Sequence, residues 1–355
     1  MLPCLPVCLR SRPLSIDMAR TAIILMNLGG PDSLDAVEPF LFNLFKDPAI
    51  IRLPALLRLP LAWLVARRRT GTAREIFARL GGASPLLANT EAQARALEAI
   101  LGDRHRCFVA MRYWHPTSSE AARAVAEWGP DEIVCLPLYP QFSTTTTASS
   151  LADWRRAAAQ QKLNRSARSV CCYPTASGFI DAIAELIRPA LATAGSQGKA
   201  PRLLLTAHGL PKRIVQAGDP YPGQVEMTAR AVIATLARPG LDWQVCYQSR
   251  VGPLEWIGPA TDAEIRRAGS ESVPLVVAPI SFVSEHSETL VELDIDYRHL
   301  AETSGVPAYY RVATVGTDPG FIAALADLVR SAGSPSPRAA CSAFTGACVG
   351  AGGYV

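Results

Sequence analysis

The sequence predicts an α/β protein whose parallel sheets are covered by helices on both faces. Short apolar runs such as Thr21–Leu28, Glu132–Tyr139 and Val273–Ile280 recur along the chain and read as buried strands. Stretches with helical spacing lie between them, and that alternation marks parallel sheets. Polar or unusual residues gather just past the C-terminal ends of the runs, at His115, His208, Gln248-Ser249-Arg250 and Glu285-His286. Ligands bind at that edge in open α/β sheets. A chain of 355 residues is long enough for two medium domains, each with its own core. Two such sheets place a cleft between them.

Residues Met1–Asp17 hold Cys4, Cys8, Arg10, Arg12 and several prolines, and lack the apolar segment of a secretory signal. Met18, just before the first strand, is the expected start, which makes 1–18 a disordered or artefactual extension. Thr21–Leu28 is the first strand and runs into Gly29-Gly30-Pro31-Asp32. Leu53–Val65 is Leu-rich, broken by Pro54 and Pro60, and followed by Arg67, Arg68 and Arg69. It reads either as a pair of core helices or as an apolar lip, about 50–66, touching a membrane with its arginines at phosphate level. Glu91–Leu101 is helical, Arg106–Tyr113 is a strand ending in Trp114-His115-Pro116, Ser118–Trp128 is helical, and Glu132–Tyr139 is a strand stopped by Pro140. The hydroxyl-rich run Ser143–Thr147 suits a helix cap and turn, or a ligand contact. A strand is expected at Ser169–Tyr173, and the lobe boundary near residue 174.

Beyond it, strands are expected at Pro201–Ala207, Gln244–Gln248, Val273–Ile280 and Pro307–Val312, with helices at Ile180–Leu191, Gln224–Leu236 and, last, Phe321–Ser331. The division expected is 19–174 plus 319–332 for one lobe and 175–318 for the other. The Gly-, Ser- and Cys-containing tail, 333–355, lies outside the core.

A formal charge of +4, with no basic block interleaved with aromatics, argues against nucleic acid. Nine unevenly spaced cysteines do not form a disulfide framework, which points to reduced thiols and a cytoplasmic location. No run of about 18 uncharged apolar residues is present, so no spanning helix is expected.

The chemistry concentrates in residues 280–297. If the chain turns helical after the Val273–Ile280 strand, Glu288, Glu292 and Asp296 fall four apart on one face. Like charges at that spacing weaken a helix by a few tenths of a kcal/mol per pair. A solvated helix face is the plain alternative, but no lysine follows Lys212 to relieve the charge. Carboxylates beside His286 at a strand end suit the handling of cations or protons. His208 ends another strand and is followed by Gly209-Leu210-Pro211, a tight turn that aims the ring off the sheet edge. Such a histidine is as often structural as functional, and the second histidine with its carboxylates adds weight to function. Histidine with carboxylate suits Fe(II), Zn(II) or Co(II). Closed zinc sites, phosphate loops and Gly-x-Ser-x-Gly elbows are not found.

From about residue 21 to 330 the chain resembles the ferrochelatases. The resemblance is carried by Leu25–Pro31, Arg68-Arg69-Thr70, Gly81–Pro85, Met111–Pro116 and Pro137–Ser143. It continues in His208-Gly209-Leu210-Pro211, Gly218–Pro222, Tyr247–Pro253, Trp256–Pro259 and Ser284–Asp294. Each piece is weak alone, and their order and spacing together are specific.

The resemblance implies two similar Rossmann-like lobes of the chelatase kind, with a porphyrin in the cleft between them. It implies insertion of Fe(II) into protoporphyrin IX, with Fe(II) as substrate. By position, His208 and Glu288 match the pair at the metal-insertion face and His286 a supporting histidine. Glu292 and Asp296 continue the acidic path. Leu28, Arg69, Ser84, Arg112, Tyr113, Tyr139, Trp256 and Phe282 match porphyrin-pocket positions, with Arg69 on a propionate.

Gly209 departs from the family's usual Ser, a change expected to matter little because both are small. Some members hold a 2Fe–2S cluster on four cysteines. Here the tail has only Cys341 and Cys348, and the internal cysteine position is Thr144, so no cluster is expected. The alternatives are a coproporphyrin or cobalt chelatase, and a tetrapyrrole or metal carrier without turnover. The Leu-rich lip favours protoporphyrin. The expected place of work is the cytoplasm, with peripheral contact at the membrane's cytoplasmic face.

Overall fold

The structure is a computed structural model and describes residues 19–332 apart from 164–166, 197, 251 and 253. The expected N-terminal extension and the tail with Cys341 and Cys348 lie outside the described residues.

Strands β1 (Thr21–Asn27), β2 (His105–Met111), β3 (Glu132–Pro137) and β4 (Ala167–Ser169) form one parallel sheet in the order β2-β1-β3-β4. Strands β5 (Arg202–His208), β6 (Asp242–Gln248), β7 (Leu275–Pro279) and β8 (Tyr309–Arg311) form a second, in the matching order β6-β5-β7-β8. This is the doubly wound order of the flavodoxin kind, whose crevice opens where the winding reverses, between β1 and β3 and again between β5 and β7. The central strands are apolar on both faces because helices cover both: every residue of β1 is buried.

Helices α4 (Ser118–Trp128) and α5 (Thr147–Gln160) cover the outer face of the first sheet through Ala122, Val125, Leu151 and Trp154. Helices α9 (Thr261–Ser270) and α10 (Tyr297–Thr303) cover the outer face of the second through Ile265, Ala268 and Ala301. The inner faces do not have separate cores. Ile23, Leu25, Val134 and Leu136 of one sheet and Leu203, Leu205, Val276 and Ala278 of the other belong to one continuous cluster. It is completed by α3 (Leu86–Leu101), α6 (Ser177–Gly195), the short α7 (Lys212–Gln216) through Ile214, α8 (Tyr221–Leu236) and α11 (Pro319–Ser331). Helix α11 packs on both α3 and α6, so it joins the lobes.

Two sequence expectations are corrected. The strand expected at Ser169–Tyr173 is the three-residue β4, ending at Ser169. Pro137 and Pro140 lack the N–H that would extend the ladder, and 170–173 follow β3 through Val170 N–H to Cys135 O and Tyr173 N–H to Pro140 O. The Leu53–Val65 stretch is not a helix pair. Helix α2 (Ala55–Ala78) runs unbroken through Pro60. It packs by the narrow seam Ala62, Ala66, Thr70 and Phe77, chiefly against α1 (Val37–Phe45).

Side-chain amides bind the lobes at the cleft floor. Gln93 of α3, 1% exposed, donates from Nε2 to Val283 O (2.9 Å) and Gly316 O (2.8 Å), and its Oε1 accepts from Ser284 Oγ (3.0 Å). Gln141 donates to Thr228 Oγ1 and Ile280 O. Asp219 accepts from Ser143 Oγ, Thr144 N and Thr144 Oγ1. The Ser143–Thr147 hydroxyls thus hold an inter-lobe carboxylate, and the Thr146 side chain makes no cap bond to α5.

Gln93→Ala takes the side-chain partner from Gly316 O and Ser284 Oγ, while Val283 O keeps the Gly316 N–H, at roughly 1–3 kcal/mol per orphaned group. Urea unfolding is expected to show a loss of about 2–4 kcal/mol; a midpoint equal to that of the parent protein would contradict this clasp.

Candidate active site

His208 ends β5 and His286 follows β7, so both histidines rise from the crevice of the second sheet. His208 Nδ1–H donates to Gly209 O at 2.6 Å, and His286 Nδ1–H donates to Ser284 O at 3.0 Å. These carbonyls fix Nδ1–H on each ring and turn both Nε2 atoms toward Glu288, the arrangement found behind metal-binding imidazoles. Glu288 stands between them. Its Oε1 is 3.6 Å from His208 Nε2 and its Oε2 is 3.5 Å from His286 Nε2. Both gaps exceed a good hydrogen bond. Two lone pairs face a carboxylate across each gap, a geometry that a proton or a cation completes.

The electrostatics agree. Burial alone would raise the Glu288 carboxyl, but His208 and His286 outweigh it and bring it down to about 2. Burial would lower the His286 imidazole, and Glu288 outweighs it and raises it. Among the described residues, no group of three or more His, Cys, Asp or Glu side chains is placed to hold a metal ion.

Glu288 opens a π-helix, Glu288–Asp296, where an ordinary helix was expected. Its i→i+5 bonding widens the turn, a form common at functional sites. Carbonyls within it are met from outside: Gln248 Nε2 donates to Glu288 O, Tyr309 OH to Leu293 O and Arg298 Nε to Asp294 O. The row of carboxylates is not uniform. Glu288 keeps 28% of its side chain exposed. Glu292 accepts from Gln248 Nε2, Ser249 N, Ser249 Oγ and Tyr297 OH. Burial and the charge of Glu288 raise its carboxyl. Asp296 pairs with Arg79, just past α2, at 2.7 Å.

Phe282 lies against His286 with ring centroids 4.7 Å apart. Trp256 covers Gly209, where an added Cβ would lie 3.0 Å from Gln248 O and 3.2 Å from the Trp256 ring. A serine side chain at this place would need its neighbours to give by a few tenths of an ångström.

First-lobe residues form a second group. Arg112 donates to Asp47 Oδ2 and Ser149 Oγ, both at 2.7 Å, and Tyr113 OH donates to the same carboxylate oxygen at 2.8 Å. Tyr113 is 2% exposed and joins the core under α1 and α2. Leu28 packs on that core and its carbonyl accepts from Tyr113 N–H. Arg69 lies over Phe45, Tyr139 OH is 3.4 Å from Ser150 Oγ, and Ser84 presses on Gly30 so closely that a Cβ there would meet Ser84 Oγ at 2.4 Å. Helix α3, which starts just after Ser84, brings the groups together: Asn89 donates to Glu285 O, one residue before His286. Asp47, Gln248, Ser249 and Tyr297 belong to this machinery and were not singled out from sequence as site residues. Gln248 and Ser249 stood at a strand end, and Asp47 gave no signal.

Arg311 of β8 grips Glu285 and Asp294, fixing the His286 loop to the π-helix. Burial would raise the Glu285 carboxyl, but Thr289, Arg311 and the Thr314 N–H outweigh it and lower it. A depressed carboxyl stabilises the fold above its unfolded value, about 4.3, and that contribution is lost as pH falls through the folded value. Glu285→Gln is expected to flatten the fall in chemical stability between about pH 5 and pH 3; parallel curves for the two proteins would refute it.

A family model described as Ferrochelatase matches residues 20–333. The chain is 55% identical over 329 residues to a ferrochelatase of Caulobacter vibrioides, covering 91% of this chain and 93% of that one. It is 54% identical over 339 residues to a ferrochelatase of Phenylobacterium zucineum, covering 93% and 97%. Among solved structures, SirB from Bacillus subtilis with Fe3+ aligns at a TM-score of 0.52 and 12% identity, covering 88% of this chain and 95% of that one, a likeness of fold. With the family match spanning both sheets and such identity over nearly whole lengths, the chain belongs to the ferrochelatase family.

Proposed function

We propose that this chain inserts Fe(II) into protoporphyrin IX, releasing two protons and forming protohaem. The observation that carries the reading is Glu288 held between two imidazoles whose Nε2 atoms both face it. Insertion requires two pyrrole protons to leave as one divalent ion enters. In its neutral form His208, with Nδ1–H on Gly209 O, can accept a pyrrole proton at Nε2, and the imidazolium so formed lies beside the Glu288 carboxylate. A planar ring resists entry because its nitrogen lone pairs lie in the plane, and binding that favours a bent ring exposes one of them. Glu292 and Asp296 extend the negative row outward from Glu288, and His286 fixes Glu288 from behind.

Leu28, Arg69, Ser84, Arg112, Tyr113, Tyr139, Trp256 and Phe282 are the proposed porphyrin-pocket positions. In this reading Arg69 meets a propionate and Tyr113, through Asp47, supports Arg112 rather than the ring. Residues 19–174 form one working lobe and 175–318 the other, with α11 bridging them. The reading includes no 2Fe–2S cluster: Thr144 is engaged with Asp219, and burial pushes the Cys135 and Cys246 thiols up to about 12.

In an anaerobic assay with Fe(II) or Zn(II), the protein is expected to metallate protoporphyrin IX in preference to coproporphyrin, from a preparation without visible cluster absorbance. His208→Ala should lower turnover roughly 10²–10⁴-fold while porphyrin binding, followed by fluorescence quenching, persists. Turnover that survives the substitution removes His208 from the mechanism, and binding without turnover by the parent protein would make it a carrier.

Peripheral contact with a membrane belongs to the same reading. No helix among the described residues is long and apolar enough to cross a membrane. Helix α2 exposes Leu56 (88%), Leu57 (62%) and Trp63 (50%), with Arg67 and Arg68 exposed beyond them. An apolar surface edged by arginine suits an anionic interface on the cytoplasmic side. Leu56→Glu with Leu57→Glu is expected to reduce co-sedimentation with phosphatidylglycerol vesicles about tenfold or more; unchanged sedimentation would take α2 out of any membrane contact.

A further inference from the structure

His208 and Glu288 stand on different elements, β5 and the π-helix, and their 3.6 Å spacing must be set by something that touches both. Gln248, the last residue of β6, lies beside His208 in the strand register and is 1% exposed. Its backbone carbonyl accepts the Gly209 N–H at 2.9 Å, and Gly209 O is the acceptor that orients His208. Its side chain faces the π-helix. The two Nε2 hydrogens go to Glu288 O (2.9 Å) and Glu292 Oε2 (3.0 Å), and Oε1 accepts from Thr206 Oγ1 (3.0 Å). Thr206 is in turn within 3.1 Å of Thr261 Oγ1. The amide is therefore fixed in one orientation, with both hydrogens used.

We propose that Gln248 is a positioning residue for metal insertion: through Gly209 on one side and the first turn of the π-helix on the other, it sets the distance between the His208 imidazole and the Glu288 carboxylate. The inference rests on the ferrochelatase reading of the site. Gln248 contacts neither the porphyrin nor the metal in that reading, and acts only on the groups that do. A fully satisfied buried amide suits the task, because it couples two backbones rigidly where an apolar side chain would leave both free to drift. Glu292, engaged with Gln248, Ser249 and Tyr297, is the other half of the same fixture.

The test uses the full chain with Gln248→Met, which keeps the volume and the backbone carbonyl on Gly209 N–H but removes the side-chain hydrogen bonds, and Gln248→Asn, which keeps the amide and withdraws it by one methylene. Both are expected to keep protoporphyrin affinity within about threefold while kcat falls roughly 10- to 100-fold, the penalty of a misplaced catalytic group. Long-range 1H–15N spectra of the metal-free protein should show His208 as one Nδ1–H tautomer in the parent and as a mixture in the variants. The proposal is overturned if kcat stays within about twofold of the parent, or if porphyrin affinity falls in step with kcat. Should Gln248→Met fail to fold, Gln248→Asn decides. A parent protein that inserts no metal would count against the functional reading, and the tautomer comparison would still judge Gln248.

Discussion

A carboxylate set between two imidazoles, each fixed by a backbone carbonyl, is the constraint around which the rest of the molecule is arranged. Neither imidazole can turn away, because Nδ1–H is engaged with Gly209 O or Ser284 O. The carboxylate cannot close either gap without leaving the other. The three side chains are thus held apart past the ends of two adjacent strands, β5 and β7. A doubly wound sheet offers such a crevice without added design, since the chain leaves it in opposite directions there.

Holding the constraint takes contacts from every side. Arg311 ties the His286 loop to the π-helix. Gln93 and Asn89 tie the same loop to the first lobe. Gln248 and Tyr309 meet carbonyls that the π-helix frees. The donors are neutral amides and hydroxyls as often as charges, which is how a buried polar network is satisfied without large desolvation penalties.

Much of this was legible in the sequence. The apolar runs located the strands because central parallel strands are apolar on both faces, and His208, His286 and Glu288 stood out because two histidines and a row of carboxylates gathered at strand ends. The remainder depends on pairings that only the fold creates. The period of Glu288, Glu292 and Asp296 is compatible with either helix type, so the π-helix was not visible. Glu292 looked like a free member of an acidic row, yet it is saturated by Ser249 and Tyr297, which lie on other elements. Pro60 suggested a break in α2, but one missing bond in a largely exposed helix did not divide it. Ser169–Tyr173 had the composition of a strand, and the prolines of its neighbour denied it a partner.

The common core of the two lobes bears on how the molecule holds together. Both halves show the same strand order, the mark of a duplicated unit. Yet α6 and α8 of the later half and α3 of the earlier half line a single interior. Severed between β4 and α6, either half would present an oily inner surface to water, far beyond what a soluble monomer tolerates. Each half therefore buries its inner face only against the other, so the two sheets are expected to unfold as one cooperative unit rather than one after the other.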